Sequence, residues 1–281
     1  MKIRKPYVAG TFYEGDKNSL LKRLEWCFKH ELGPGKLPEV NENGERKIVT
    51  LVSPHAGYMY SGPVAANGFY QLAQDGKPEL FIVIGPNHRG LGASISVMVE
   101  GAWETPLGTV KINGDIARKI VEKCKYAEED DSGHMFEHSL EVQIPFLQYI
   151  YGSFEFVPIC MNLQTLSVSK DLGQAIASAL QGVDGVIVAS TDFTHYEPQE
   201  SASKKDSKVI EAITKLDEDA LFETVSKYRV SMCGYGAVAS AIVASKLLGA
   251  KEGVLIKYAT SGDITRDYSQ VVGYAAIKLI R

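Results

Sequence analysis

The chain has 281 residues, of which 45% are hydrophobic and 23% are charged. That length allows one large domain or two small ones, and that composition excludes a disordered, collagenous or coiled-coil protein. Its 30 Lys and Arg residues against 34 Asp and Glu residues leave a net charge of -4 without a long basic run, which argues against a nucleic-acid partner.

The apolar stretches are much shorter than the roughly 20 residues that cross a bilayer. The segment 1–16 lacks the apolar core of a secretory signal. The four cysteines are scattered without a Cys-x-x-Cys pair, so neither a disulfide framework nor a cysteine-rich zinc site is expected. We therefore expect a cytoplasmic protein with no membrane partner.

Short apolar runs rich in Val and Ile alternate with segments of helical period along the chain. The runs, typical of buried strands, are 48–52, 80–84, 154–159, 185–189, 254–258 and 271–278. The helical segments are 16–31, 63–74, 114–125, 139–151, 167–180, 204–215, 217–228 and 234–248. This alternation predicts an α/β fold with a mostly parallel central sheet flanked by helices.

Two segments depart from that alternation. The pattern at 95–112, interrupted by a Pro-Leu-Gly turn, predicts an inserted antiparallel hairpin. The linker-like stretch 33–45 comes too early to leave a domain in front of it. We therefore expect a single domain, 1–281, with residues 1–45 as an N-terminal helical extension and loop packed on it.

Histidines follow three of the four interior strand runs. His55 follows the run 48–52, His88 follows 80–84, and His195 follows 185–189 together with Asp192. The carboxyl ends of parallel strands share one edge of a sheet, where ligands bind in α/β proteins. The sequence therefore predicts a metal site at this edge, although a single histidine at a strand end is more often structural.

The remaining histidines are less informative. His138 begins a predicted helix, from which it either faces the same edge or points away from it. His30, on a predicted surface helix, and His134, in an acidic loop, are expected to be solvated.

Cys233 is the fourth candidate ligand. It stands at the start of a predicted helix, whose dipole favours the thiolate form. The adjacent Gly234, Gly236 and Ala239 also match the dinucleotide-binding pattern GxGxxA, but no good strand precedes them and no acidic residue ends the next strand. A small buried hydrophobe remains the alternative for the cysteine.

Six ordered motifs resemble the Memo family, named after a mediator of ErbB-driven cell motility and labelled AmmeMemoRadiSam system protein B in prokaryotes. They are SPHAGYMYSG (53–62), GPNH (85–88), WETPLG (103–108), EHSLEVQIP (137–145), STDFTHY (190–196) and MCGYG (232–236). The resemblance extends from RKPYVAGTFY (4–13) to the last strand. It implies a fold similar to the class III extradiol dioxygenases, which are non-haem iron enzymes.

Carried over motif by motif, the resemblance implies His55 and His88 as metal ligands and Cys233 in place of the dioxygenase carboxylate. His195 would be the acid/base, with Asp192 beside it. Because a thiolate is softer than a carboxylate, extradiol cleavage is not transferred. Iron(II) or copper is expected at this mononuclear site in preference to zinc.

Two functions from different classes remain open at this point. The first is a metal-dependent oxidoreductase acting on a small molecule or on oxygen; a separate enzyme hypothesis, a hydrolase using zinc-bound water, is less favoured. The second is a non-catalytic module that binds a peptide or phosphopeptide, with Arg89 and Tyr58 near an anionic group. The family's label implies a radical-SAM-associated system, and nothing in the sequence indicates the oligomeric state.

Overall fold

In the computed structural model, which describes residues 2–281, β-strands alternate with α-helices along most of the chain. The strands are β1 (Ile3–Arg4), β2 (Ile48–Ser53), β3 (Leu80–Pro86), β4 (Ile95–Val97), β5 (Ala102–Thr105), β6 (Gly108–Ile112), β7 (Ala127–Glu129), β8 (Glu155–Met161), β9 (Gly185–Ser190), β10 (His195–Glu197), β11 (Glu252–Thr260) and β12 (Val271–Ile280). The helices are α1 (Lys17–Lys29), α2 (Tyr58–Asp75), α3 (Gly114–Lys123), α4 (Ile144–Tyr151), α5 (Leu166–Ala179), α6 (Gln199–Thr214), α7 (Glu218–Tyr228), α8 (Tyr235–Leu247) and α9 (Ser261–Thr265).

The centre of the sheet consists of four parallel strands in the order β8-β3-β9-β2. Strand β12 pairs antiparallel with β2 on one side of this centre, and β11 pairs antiparallel with β12. On the other side β6 pairs parallel with β8. The predicted α/β fold with a mostly parallel sheet is therefore confirmed.

The central strands are buried on both faces, as parallel strands covered by helices usually are. Alternate residues enter two different cores: Leu80, Ile82 and Ile84 of β3 join one, whereas Phe81 and Val83 join the other. Helices α3, α5, α6, α7 and α8 cover the first face, and α1, α2 and α4 cover the second. Burying each of these side chains contributes on the order of 2 kcal/mol.

The predicted hairpin is confirmed, but its strands are β5 and β6, and Trp103 pairs with Val110. The segment 95–97 forms the separate strand β4, which pairs antiparallel with β8 and parallel with β7. Alternation alone does not say which partner a strand takes, because hydrogen-bond pairing depends on the path of the chain between strands.

Several predicted elements differ in their bounds or exposure. Helices α2 and α6 both begin five residues before the predicted start. Because proline is favoured at the first position of a helix, Pro63 suggested the start of α2, but it lies inside that helix. The segment 139–151 divides into a 3₁₀ turn at Glu141–Gln143 followed by α4. Strand β11 is not buried as predicted: Val254 is 36% exposed, because β11 lies outside the parallel centre.

The GxGxxA segment opens α8 after the loop that follows α7, with no strand leading into it among the described residues. That arrangement lacks the strand that dinucleotide binding requires.

Helix α1 packs against α2, and the loop 30–47 returns the chain to β2. Among residues 2–281, no helix combines the length and hydropathy that crossing a bilayer requires.

Candidate metal centre

Three adjacent strands bring the predicted ligands together at one edge of the sheet. His88 follows β3, Asp192 follows β9 and His55 follows β2, and these strands are neighbours. Cys233 reaches the same place from the loop before α8. Each of His55, His88 and Cys233 offers one ligand atom, and these three atoms all lie within 4.8 Å of one another. Cys233 Sγ is 3.2 Å from His55 Nε2.

The tautomer of His55 is determined by its neighbours. Ser190 Oγ donates its proton to the Ser139 carbonyl at 2.6 Å and accepts a bond from Gln143 at 2.8 Å. His55 Nδ1, 2.8 Å away, must therefore be the donor to Ser190. This leaves the lone pair of Nε2 towards Cys233. Burial, followed by the neighbouring histidines, lowers the pKa of His55 well below its usual value and keeps the ring neutral.

His88 is held by a carboxylate. Its Nδ1 donates to Glu137 Oε1 at 2.8 Å, so that Nε2 is again the free nitrogen. Glu137 also accepts the backbone N–H groups of His138 and Ser139. Burial opposes ionisation of Glu137, but these hydrogen bonds and the neighbouring histidines outweigh it and lower its pKa to about 2. A carboxylate behind a ligand histidine orients the ring and raises its basicity towards a metal.

The loop before α8 holds the cysteine sulfur. Cys233 Sγ accepts the Asp192 backbone N–H at 3.2 Å, and Gln164 bridges the Cys233 carbonyl and the Gly236 N–H. The expected thiolate is not favoured by the helix start alone, since burial and the Asp192 charge raise the pKa of Cys233 well above its usual value. A metal cation bound between the sulfur and the imidazoles would lower the pKa of Cys233 again and favour the thiolate.

The donor set fits a metal ion. The imidazoles of His55 and His88 both use Nδ1 for hydrogen bonds and keep Nε2 free, and the half-buried sulfur of Cys233 lies beside them. A second group that could hold an ion, His88 with Glu137 and His138, overlaps the first. Its carboxylate is already used as a hydrogen-bond acceptor, so the group containing Cys233 is the stronger candidate.

Asp192 and His195 lie on the open side of this group. Asp192 Oδ1 accepts the His55 backbone N–H at 2.8 Å, and burial raises the pKa of Asp192 to about 6. His195 Nδ1 donates to the Ser231 carbonyl at 2.9 Å, and the Ser231 hydroxyl accepts the His195 backbone N–H at 2.7 Å. The Nε2 atom of His195 is therefore the one that can exchange a proton with a ligand.

A cavity of about 620 Å³ opens over these residues. Its lining combines the candidate site with aromatic and polar side chains: Phe12, His55, Ala56, Gly57, Tyr60, His88, His138, Asp192, His195, Tyr196, Ser261, Thr265, Asp267, Gln270, Val272 and Tyr274. His138 lies in this lining and stacks on His88 with ring centres 4.5 Å apart. The cavity is the expected place for a substrate beside a metal centre.

Arg89 and Tyr58 do not line this cavity. The Tyr58 side chain is buried and donates its hydroxyl to the Val142 carbonyl. Arg89 Nε donates to the Phe136 carbonyl, and its guanidinium lies over the ring of Tyr7. The expected anion contacts from these two residues are therefore absent in the described cavity.

His134 was expected to be solvated and is buried. Its Nε2 is 3.0 Å from the Ser96 carbonyl, and its backbone carbonyl accepts a bond from Arg4. His30 is half-buried, and its Nδ1 accepts the Leu32 N–H. The acidic loop sequence predicted exposure, but the N-terminal strand β1 covers that loop.

Sequence reasoning did not single out the residues that orient the ligands: Ser139, Gln143, Ser190, Glu137 and Ser231. Glu137, Ser139, Gln143 and Ser190 lie inside the motifs 137–145 and 190–196, and Ser231 directly precedes the motif 232–236. Membership of a motif was their only signal, because the partners of these polar residues lie far away along the chain.

The fold and the site together define an α/β protein with a candidate mononuclear metal centre of two histidines and a cysteine. The family model described as Memo-like protein matches residues 4–278, and the chain belongs to that family. A MEMO1 family protein of Methanopyrus kandleri is 54% identical over 277 residues, which covers 98% of each chain. Another, from Methanothermobacter thermautotrophicus, is 50% identical over 275 residues, covering 97% of this chain and 99% of the relative.

One solved structure shares the fold at low sequence similarity. An uncharacterised protein of Escherichia coli K12 aligns with a TM-score of 0.57 at 12% identity, covering 82% of this chain and 99% of that one. At this identity the likeness shows a shared fold and nothing about the role of the protein.

Two expectations from the sequence stay predictions: the association with a radical-SAM protein and the cytoplasmic location.

Proposed function

We propose that this protein is a metal-dependent oxidoreductase that acts on a small molecule or on oxygen. The observation that carries the proposal is the pair of orientated imidazoles beside the Cys233 sulfur, at the base of a cavity that also contains His195. His55, His88 and Cys233 would hold the ion. A structural site would be closed, with four protein ligands, whereas this group offers three and opens to a cavity.

Iron(II) or copper is the proposed ion. Thiolate and imidazole donors suit copper, iron and zinc alike, but zinc has no redox chemistry, so only iron and copper would serve an oxidoreductase. Such an ion would supply electron transfer or activation of a bound ligand. The protein contributes orientation, since Ser190 and Glu137 hold the two rings, and it limits access of water to His55.

His195 is the proposed proton carrier. Its Nδ1 proton is held by the Ser231 carbonyl, so only Nε2 exchanges a proton with a ligand in the cavity. Asp192 holds the backbone of His55 and adds a negative charge next to the site. It would stabilise a protonated His195 during the reaction.

Metal content tests the proposal. Elemental analysis after anaerobic purification should find near-stoichiometric iron or copper in the wild type and almost none in His55→Ala or Cys233→Ala. Glu137→Gln keeps all three ligands and should weaken binding about 10- to 100-fold in a chelator competition. His30→Ala and Cys124→Ala, which alter a histidine and a cysteine outside the site, should leave the content unchanged.

Activity is the second step of this test. Metal-loaded protein with oxygen and candidate reductants should show turnover that is lost in His195→Ala while the metal stays bound. A wild type that remains empty after reloading with iron, copper and zinc, or turnover that is unaffected by His195→Ala, would contradict the proposal.

Peptide binding is the second candidate, and the exposed aromatic rings of Tyr60 and Tyr196 at the cavity favour it. A phosphopeptide is less suited than a plain peptide, because the described lining contains no Lys or Arg. Calorimetry with both peptides tests this function. It would be discarded if neither peptide binds.

A further inference from the structure

The cavity over the candidate metal centre has acidic side chains but no Lys or Arg in its described lining. It is lined by two carboxylates, Asp192 and Asp267, and no Lys or Arg among residues 2–281 lines it. Arg266 is next to Asp267 in the chain but pairs with Glu31 at 3.3 Å. An anionic ligand would find no fixed positive side chain here.

The carboxylate of Asp267 therefore meets no Lys or Arg side chain among the described residues that line the cavity. A cleft that is lined by carboxylates without Lys or Arg attracts cations in preference to anions.

The carboxylate of Asp267 is exposed and available at the cavity wall. Its Oδ1 accepts both the N–H and the hydroxyl of Ser269, at 3.0 and 2.6 Å. These bonds hold the group in place and lower its pKa, so that it stays charged. They leave Oδ2 for a ligand.

Two tyrosines add aromatic faces to the same lining. Tyr60 is 40% exposed and Tyr196 is 72% exposed. Tyr196 has a φ of +57°, which a bulky residue rarely adopts, and lies in the irregularity of β10 between His195 and Glu197. A strained and exposed aromatic residue next to the acid/base is typical of a ligand-binding position.

We propose that the cavity binds a small organic ammonium ion, with its charged group against Tyr60, Tyr196 and the Asp267 carboxylate. Aromatic faces attract ammonium groups through the ring quadrupole, and the carboxylate adds Coulomb attraction. The inference rests on the proposed function in one respect: it names the substrate class that the metal centre would receive. The rest of the ligand would extend towards His195 and the metal ligands.

Calorimetry at low ionic strength with tyramine and 4-hydroxyphenylacetate tests the charge preference, since these probes share a ring and differ in the sign of their charge. The full chain is measured metal-free and loaded with zinc(II), which is redox-inactive. Tyramine should bind about tenfold tighter or more in both forms. Asp267→Asn and Tyr196→Ala should each weaken tyramine binding, whereas Tyr7→Ala, an exposed tyrosine outside the cavity, should not.

Three results would overturn the proposal: no tyramine binding up to about 10 mM, equal or tighter binding of 4-hydroxyphenylacetate, or tyramine affinity unchanged in both Asp267→Asn and Tyr196→Ala. These measurements involve no turnover. Amine binding by a protein without redox activity would contradict the oxidoreductase alone, and turnover in a protein that prefers the anion would contradict the ammonium site alone.

Discussion

His55, His88 and His195 share one arrangement. Each uses Nδ1 to donate to a fixed acceptor, respectively a serine hydroxyl, a carboxylate and a backbone carbonyl, and each keeps Nε2 for the site. Because the acceptor decides the tautomer, the neighbours of an imidazole determine its chemistry as much as its position does.

His134 leads to a pH prediction, since burial and then the Arg4 charge lower its pKa to about 4. The unfolded chain, with a histidine pKa near 6.5, binds this proton more readily. The folded protein should therefore lose stability as the pH falls from about 6.5 to 4, by up to about 3 kcal/mol from this residue. His138, whose pKa burial also lowers to about 4, adds to the loss in the same window.

Urea unfolding of the metal-free protein at several pH values between 7 and 4 measures this effect. His134→Gln should flatten part of the slope, because it removes one of the three buried rings with a lowered pKa, His55, His134 and His138, and keeps a donor for Ser96. His30→Gln provides the matched control and should retain the full slope. An identical slope in His134→Gln and the wild type would contradict the prediction.

At the scale of elements, the start of α8 positions Cys233, the proposed cysteine ligand. A Cβ on Gly234 would lie 2.5 Å from the Ser190 carbonyl oxygen and 2.8 Å from Thr191 Cβ. Only glycine lets the loop approach β9 this closely, and Cys233 reaches His55 because of that approach.

Gly234→Ala should therefore destabilise the protein by about 1–3 kcal/mol and displace the sulfur, so that metal affinity falls as well. Denaturant unfolding and a metal titration measure the two effects. Gly15→Ala is a suitable control, because its nearest contact would be an ordinary 3.5 Å. If Gly234→Ala behaves like Gly15→Ala in both assays, the close approach is not important.

At the scale of the whole molecule, the N-terminal segment 4–13 is attached to the loop that orients His88. Arg4 forms a buried ion pair with Glu141 and donates to the Glu137 carbonyl at 2.7 Å. Glu141 also accepts the Val8 N–H at 3.0 Å and the Tyr13 hydroxyl at 2.7 Å. This network connects the segment 4–13 to the loop beside the candidate metal centre.

Arg4→Met should cost about 3–5 kcal/mol of unfolding free energy, because it leaves the Glu141 charge buried and unpaired. The double variant Arg4→Met, Glu141→Met should recover part of that loss. Lys5→Met, which removes an exposed pair with Glu104, should cost less than about 1 kcal/mol. Equal losses in Arg4→Met and Lys5→Met, measured by urea unfolding, would show that the buried pair is unimportant.

The sequence predicted more of the fold than of the site's supporting contacts. Buried strands such as β3 and β9 are continuous apolar runs, and that signal is local, so their existence was predicted correctly and their bounds to within two residues. The edge strand β11 was misjudged, since an apolar run does not state how many of its faces are covered. The separation of His88 from Glu137 by 49 residues shows why such a pair had no local signal.

The sequence by itself determined the alternation of strands and helices, because apolar periodicity is a local property. It also determined the arrival of His55, His88 and His195 at one sheet edge, since strands that are connected through helices run parallel. Only the tertiary structure decided the tautomers of those rings, the burial of His134 and the charge of the cavity. These depend on which distant groups meet, such as Ser190 at 135 positions from His55. Strand order and loop paths set those meetings, and no local pattern encodes them.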